Sequence, residues 1–194
     1  MTNQKDTICL HCTLFPPPYK ACIAPFRFEG ITKTLIHHIK FHQGNHYIRP
    51  LTYLLSQHLH QHYENRAWPE QLIYIPSHPK RIKERGFCQT RTMSAQLIKQ
   101  LRQTLGDHSP TLAVPNPLSK IQHSQAQHSL SRTHRLDAPQ SVYSVQGRVA
   151  KHVALFDDVM TTGSTIENAT RLLQQAGAEQ VDVWVIARTA DKQD

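Results

Sequence analysis

The apolar positions of this chain follow two rhythms, a three-to-four-residue spacing and short unbroken runs. Ile31, Leu35, Ile36 and Ile39 share one helical face, and Ile48, Leu51, Leu54, Leu55 and Leu59 share another. Met93, Leu97, Ile98, Leu101 and Leu105 predict a third helix closed by Gly106. Ile166, Ala169, Leu172, Leu173 and Ala176 predict a fourth, stopped by Gly177. The unbroken runs are Leu72–Ile75 before Pro76, Leu112–Val114 before Pro115, Val153–Phe156, and Val181–Ile186. Brief apolar runs bounded by turn chemistry suit strands buried on both faces. Strands alternating with helices predict an α/β fold with a mainly parallel sheet flanked by helices. No internal repeat is visible.

With 194 residues the chain makes one domain with room for a small extra piece. The division drawn here is an appendage over residues 1–25 and an α/β domain over 26–194, with Pro16–Pro18 as a stiff connector. No apolar run reaches bilayer-spanning length, and the opening Met-Thr-Asn-Gln-Lys-Asp has no signal-peptide pattern, so a cytoplasmic protein without membrane insertion is expected. Cys9, Cys12, Cys22 and Cys88 do not form a disulfide framework at this size. The balance is basic, with 22 Lys and Arg against 14 Asp and Glu, and 14 His besides. Such a field favours polyanions, either nucleic acid or a polyphosphate, although a basic surface kept for solubility has the same composition.

The densest chemistry lies at residues 153–165. The run Val153–Phe156 ends in Asp157 and Asp158, and a Met160-Thr161-Thr162-Gly163-Ser164-Thr165 loop leads into a helix. Ligands bind at such strand-to-helix junctions in open α/β sheets. Amides around Gly163 lie at the positive end of the helix, Gly163 admits close approach of an anion, and four hydroxyls surround it. That cradle fits a phosphate. Two carboxylates beside it would repel the anion unless they accept from sugar hydroxyls or lie near Mg²⁺. A phosphorylated ribose satisfies both requirements. A Walker-type nucleotide loop is excluded, because the chain has no Gly-Lys-Ser/Thr.

A second strand end carries cations. Ile75-Pro76-Ser77-His78-Pro79 is followed by Lys80, Arg81, Lys83 and Arg85, a place for a second anion or else a solvated basic face. Phe26, Phe28 and Phe41 near Lys33 and Lys40, and Phe87 in the basic segment, are candidates for stacking on bases or for the core.

Residues 153–165 resemble the phosphoribosyl-pyrophosphate (PRPP) motif of type I phosphoribosyltransferases: apolar run, acid pair, two spacers, Thr-Thr-Gly. The resemblance implies that Asp157 and Asp158 hold the ribose hydroxyls, residues 160–165 the 5-phosphate, and Ser77, His78, Pro79, Lys80 and Arg81 the pyrophosphate, with Mg²⁺. Arg85, Gly86 and Gln89 would fall on a flexible loop. A narrower resemblance covers nearly the whole chain. Arg85-Gly-Phe-Cys-Gln89, the Lys120, Gln125, Leu130-Ser131, Arg135 block, Phe28-Glu-Gly30, Lys40-Phe41 and Cys9-Leu-His-Cys12 with Cys22 are similar to the ComF (ComFC) competence protein family. That family implies a phosphoribosyltransferase fold, natural transformation, contact with single-stranded DNA, and other competence proteins as partners.

Departures bear on the chemistry. Cys88 stands where the block has Asn, Asp137 where Asn often follows the Arg, and Pro25 where a fourth knuckle cysteine would stand. A closed zinc site needs four ligands, so Cys9, Cys12 and Cys22 would need His11, His37 or His38; free thiols are the alternative. Lys33, Lys40, Arg132 and Arg135 are the candidate DNA or ligand contacts. Three readings remain open at this point: a PRPP-binding protein of the ComF type acting in DNA uptake, a phosphoribosyltransferase joining a base to PRPP with pyrophosphate release, and a nucleic-acid binder on the same fold without PRPP.

Overall fold

The computed structural model describes residues 16–41, 44–120 and 142–189. Its centre is a six-stranded sheet in which every pairing is parallel. The strands are β1 (Ala21–Ile23), β2 (Phe26–Arg27), β3 (Gln71–Tyr74), β4 (Thr111–Leu112), β7 (His152–Met160) and β8 (Gln180–Arg188). The order is β1-β8-β7-β3-β4, and β2 continues along β8 beyond β1. A separate antiparallel pair consists of β5 (Leu118–Lys120) and β6 (Tyr143–Val145). The helices are α1 (Gly30–Phe41), α2 (Ile48–His62), α3 (Pro79–Arg85), α4 (Gln89–Leu105) and α5 (Ser164–Gln175). A mainly parallel sheet flanked by helices is what the apolar rhythms predict.

The two-residue period of the central strands sorts their side chains between two cores. Ala154, Phe156, Trp184 and Ile186 pack with Ile36, Ile39, Leu55, Leu59, Met93 and Leu97 from α1, α2 and α4. Val153, Leu155, Val181, Val183 and Val185 pack on the other face with Ile166, Ala169 and Leu173 from α5, and with Leu118 and Tyr143. At the early end of the strands, buried Asp182 accepts from Tyr63 Oη at 2.6 Å and lies 2.8 Å from His152 Nε2, while Trp184 Nε1 donates to Tyr63 Oη at 3.1 Å. Burial, then the Asp182 charge, pushes the Tyr63 phenol far up, so it stays a neutral donor. This network ties α2 to β8 and leaves the opposite strand end for chemistry.

Four local outcomes differ from the sequence reading. β7 runs on to Met160 because β8 offers ladder partners as far as Arg188, so the acid pair lies inside the strand rather than in the turn after it. The cationic turn at 79–85 is a short helix; His78 accepts from Lys80 N at 3.1 Å, Pro79 occupies the first turn, and Gly86 closes it at φ +82°. Residues 21–23, drawn with the appendage, pair with β8 inside the main sheet. The run Leu112–Val114 is shorter as a strand, ending at Leu112, although Ala113 N still donates to Leu72 O.

Candidate functional site

Three chain segments converge at the C-terminal end of β7. The first is the acid pair itself. Because successive strand residues face opposite ways, Asp157 and Asp158 separate. Asp158 points to the side of α1 and α4, where its Oδ2 lies 2.6 Å from Lys40 Nζ and accepts from Gln89 Nε2 at 2.9 Å. Its Oδ1 accepts from Val159 N at 2.9 Å, and the residue is 7% exposed. Asp157 lies on the side of Tyr143, is half-buried, and accepts from Asp158 N through Oδ1 at 2.8 Å. The two acids therefore have distinct environments: Asp158 is braced by a cation and an amide, while Asp157 borders open space.

The second segment is the hydroxyl loop. Gly163 is left-handed at φ +81° and precedes α5, a conformation that favours glycine; a Cβ there would also lie 2.8 Å from Met160 Cε, which would have to move. Met160 is buried, and Cys22 Sγ approaches its Sδ at 3.6 Å from β1. Met160 therefore supports the loop from beneath. Thr161, Thr162, Ser164 and Thr165 are exposed, with Thr162 Oγ1 and Ser164 Oγ 3.1 Å apart. The first amides of α5 have no intrahelical acceptor and carry the positive end of a 12-residue helix.

The third segment follows β3. Ser77 and His78 leave the sheet beside the acids, and Arg81 and Arg85 project from α3. One hollow of about 360 Å³ brings the three together, bordered by Asp157, Asp158 and Thr165, by Ser77, His78, Arg81 and Arg85, and by Lys40 and Gln89. Ile75, Pro76, Thr90, Lys120 and Tyr143 complete it. Its size suits a small ligand, and its charge is mixed: cations on the β3 side, carboxylates at the end of β7.

Gln89, expected on a flexible loop, is instead 2% exposed at the start of α4. Its Oε1 accepts from Arg85 Nη1 at 3.5 Å while its amide holds Asp158, so it positions both groups. Arg85 also lies over the Phe41 ring at 5.1 Å. Lys40, a candidate DNA contact, belongs to this network through Asp158. Lys33 is exposed on α1 away from the hollow; Pro79, Lys80 and Gly86 do not border it, and of the hydroxyl loop Thr165 does while Met160, Thr161, Thr162, Gly163 and Ser164 do not. Cys22 lies in β1 under the loop; Cys9, Cys12, Arg132 and Arg135 fall outside the described residues. No group of three or more metal-ligating side chains occurs among the described residues.

Sequence reasoning missed Tyr143 and Thr90. Thr90 Oγ1 donates to Ile75 O at 2.6 Å, fixing the β3 exit. Tyr143 faces Lys120 across the β5–β6 pair, with Lys120 Nζ 5.5 Å from its ring. Burial, then Asp157, raises the Tyr143 phenol, so it stays protonated. No sequence signal marks it. Cys88 contacts Thr90 Oγ1 at 3.4 Å and Ser77 Oγ at 3.6 Å. Burial opposes its ionisation, but bonds from Thr90, Ser77 and the Arg91 backbone outweigh that and lower the thiol below its ordinary value.

Burial first, then the charge of Asp158, raises the Asp157 carboxyl well above the carboxylate range, with the Asp158 amide and Lys40 acting against them. A carboxyl that holds its proton more tightly when folded costs the fold stability as pH rises above about 4, through the raised value. Asp157→Asn is therefore expected to stabilise the ligand-free protein at neutral pH, with the gain vanishing in acid. Thermal melts across pH check this; a gain that does not change with pH would contradict the assignment.

Acid pair, hydroxyl loop and helix meet at the C-terminal end of a central strand in a mainly parallel sheet flanked by helices, the place where α/β proteins bind ligands. The chain is similar to proteins named for DNA utilization and competence. It is 28% identical over 184 residues to DNA utilization protein YhgH of Escherichia coli (strain K12), covering 93% of this chain and 78% of that one. It is 29% identical to competence protein F of Haemophilus influenzae, covering 74% of this chain and 70% of that protein. To competence protein ComFC of Streptococcus pneumoniae it is 30% identical over 61% of this chain and 48% of that protein. A purine phosphoribosyltransferase from Pyrococcus horikoshii aligns over 73% of this chain and 83% of its own, with a TM-score of 0.42 and 14% identity, a likeness too loose to carry weight. No family model matches. Among the described residues, no helix is long and apolar enough to cross a membrane.

Proposed function

We propose that the protein binds PRPP with Mg²⁺ and serves DNA utilization of the competence type, in the handling of single-stranded DNA. The observation that carries the first half is the shared hollow: the strand-borne acids, Thr165 at the head of α5, and the Ser77, His78 and Arg81 cluster border one space. A ribose at the end of β7 presents its hydroxyls to the acids and its 5-phosphate to the loop amides, and its pyrophosphate extends toward His78 and Arg81. The donor set suits Mg²⁺ held through phosphate oxygens and one carboxylate, which would neutralise charge on the pyrophosphate. The names of the relatives support the second half.

A second reading is transfer of the phosphoribosyl group to a base. It is favoured by an adjoining hollow of about 550 Å³ that shares Lys40 and Arg85 and is bordered by Phe41, Phe87, Asn45 and Glu84. Flat apolar rings beside an amide and a carboxylate are chemistry that holds a nitrogen base. In that reaction positive charge develops at C1 of the ribose, near Asp157, while Arg81 and His78 meet the leaving pyrophosphate.

Calorimetric titration with PRPP and Mg²⁺, followed by a pyrophosphate-release assay over a panel of bases, separates the readings. Saturable binding without release is the expected result. Release would establish transfer. Absence of binding at millimolar PRPP would overturn the ligand assignment and leave nucleic-acid binding alone.

A further inference from the structure

We infer that the cleft between α2 and α4 is a track for single-stranded DNA that leads to the acid-pair hollow. The inference rests on the reading that the protein handles single-stranded DNA, and it names the surface that would hold it.

The 15 residues of α2 and the 17 of α4 contain no Asp or Glu. Their exposed cations are Arg49 on α2 and Arg91, Lys99 and Arg102 on α4. None of the four enters an ion pair among the described residues. A surface kept basic for solubility intersperses both signs, as α5 does with Glu167 and Arg171 at 3.5 Å. An unbroken positive sign along two packed helices is instead the footprint of a polyanion contact. Gln96 and Gln103 lie between the cations and add amide donors for phosphate or base edges, while Gln100 Nε2 donates to Arg49 O at 3.0 Å and ties the two walls together.

The concavities join end to end. A hollow of about 510 Å³ containing Arg49, Tyr53 and Lys99 shares Arg49, Gln96 and Lys99 with one of about 770 Å³ that reaches Phe87 and Arg91. That one shares Asn45 and Phe87 with the hollow beside Phe41, which in turn shares Lys40 and Arg85 with the acid-pair site. Tyr53 is 53% exposed on the cleft wall, and Phe87 lies where two hollows meet. A groove between two neighbouring helices admits one strand and no duplex, and exposed rings along it offer faces on which unpaired bases stack.

The test uses the full chain and a labelled oligothymidylate, read by fluorescence anisotropy at several salt concentrations. Three phosphate contacts, from Arg49, Arg91 and Lys99, predict a slope of about −2 for log affinity against log salt. The paired reversals Arg49→Glu with Lys99→Glu, and Arg91→Glu with Lys99→Glu, are each expected to weaken binding at least tenfold and to flatten that slope, whereas Arg102→Glu, which borders a separate hollow beside Leu112, is expected to change it least. Neutral Gln versions of the same pairs are expected to lose several-fold, and Tyr53→Ala about five-fold or more. PRPP binding by these variants stays unchanged and reports that they are folded. If the unaltered protein binds the oligonucleotide and folded variants bind it equally well, the track is wrong while DNA handling stands. If the unaltered protein binds no oligonucleotide at low salt, both fall. Equal affinity for a duplex, lost in the same variants, would overturn the single-strand assignment.

Discussion

Replacing both Asp157 and Asp158 by alanine is expected to weaken PRPP binding by a factor of about 100 or more while the sheet stays folded. A hydrogen bond to a carboxylate contributes about 1.5–3 kcal/mol, so two lost bonds to ribose hydroxyls amount to about 3–6 kcal/mol. The fold tolerates the change because β7 is held by backbone ladders to β3 and β8. Lys40, with a side chain 24% exposed, can hydrate once its partner is gone. The single replacements are expected to differ: Asp157→Ala loses affinity without loss of stability, whereas Asp158→Ala loses both. Calorimetry with PRPP and Mg²⁺, alongside thermal melts, checks the set. Unchanged affinity in the double variant would remove the acids from the binding site.

Lys40→Met is expected to cost about 2 kcal/mol and to lower the melting temperature by about 4–8 °C. The Asp158 side chain is 11% exposed, and without the ammonium group it keeps only the Gln89 amide and the Val159 N–H. Breaking a fully buried pair costs more, about 3–5 kcal/mol, but the partial exposure of Lys40 lets water replace some of the lost charge. Adding Asp158→Asn to Lys40→Met should restore most of the stability, since a neutral amide needs no cation. Chemical denaturation of the three variants measures the coupling. If Lys40→Met unfolds like the native protein, the pair does not hold α1 against the sheet.

The apolar rhythms were enough to read the parallel sheet and the four longer helices, because each long element buries one stripe or both faces. The acid pair and the hydroxyl loop were equally legible: Asp157, Asp158 and the Thr-Thr-Gly run form one contiguous segment. What stayed hidden depends on contacts distant in sequence. Nothing near Gln89 says that its amide will meet a carboxylate 69 positions away. Lys40 reads as a surface cation until α1 is laid over the end of β7. Tyr143 reaches the site through a two-stranded pair whose strands are each three residues long, too short for a pattern. The helix at 79–85 was signalled by Pro79 and Gly86, but its high charge masked any apolar stripe.

β1 gives one more consequence. Ala21, Cys22 and Ile23 cover the outer flank of β8 register by register, from Asp182 to Trp184. Anyone trimming the cysteine-bearing leader to obtain a tidier sample must keep residue 20 onward. A cut at 25 would bare the Asp182–Trp184 flank of β8, whose unpaired amides and carbonyls invite neighbouring molecules to zip on.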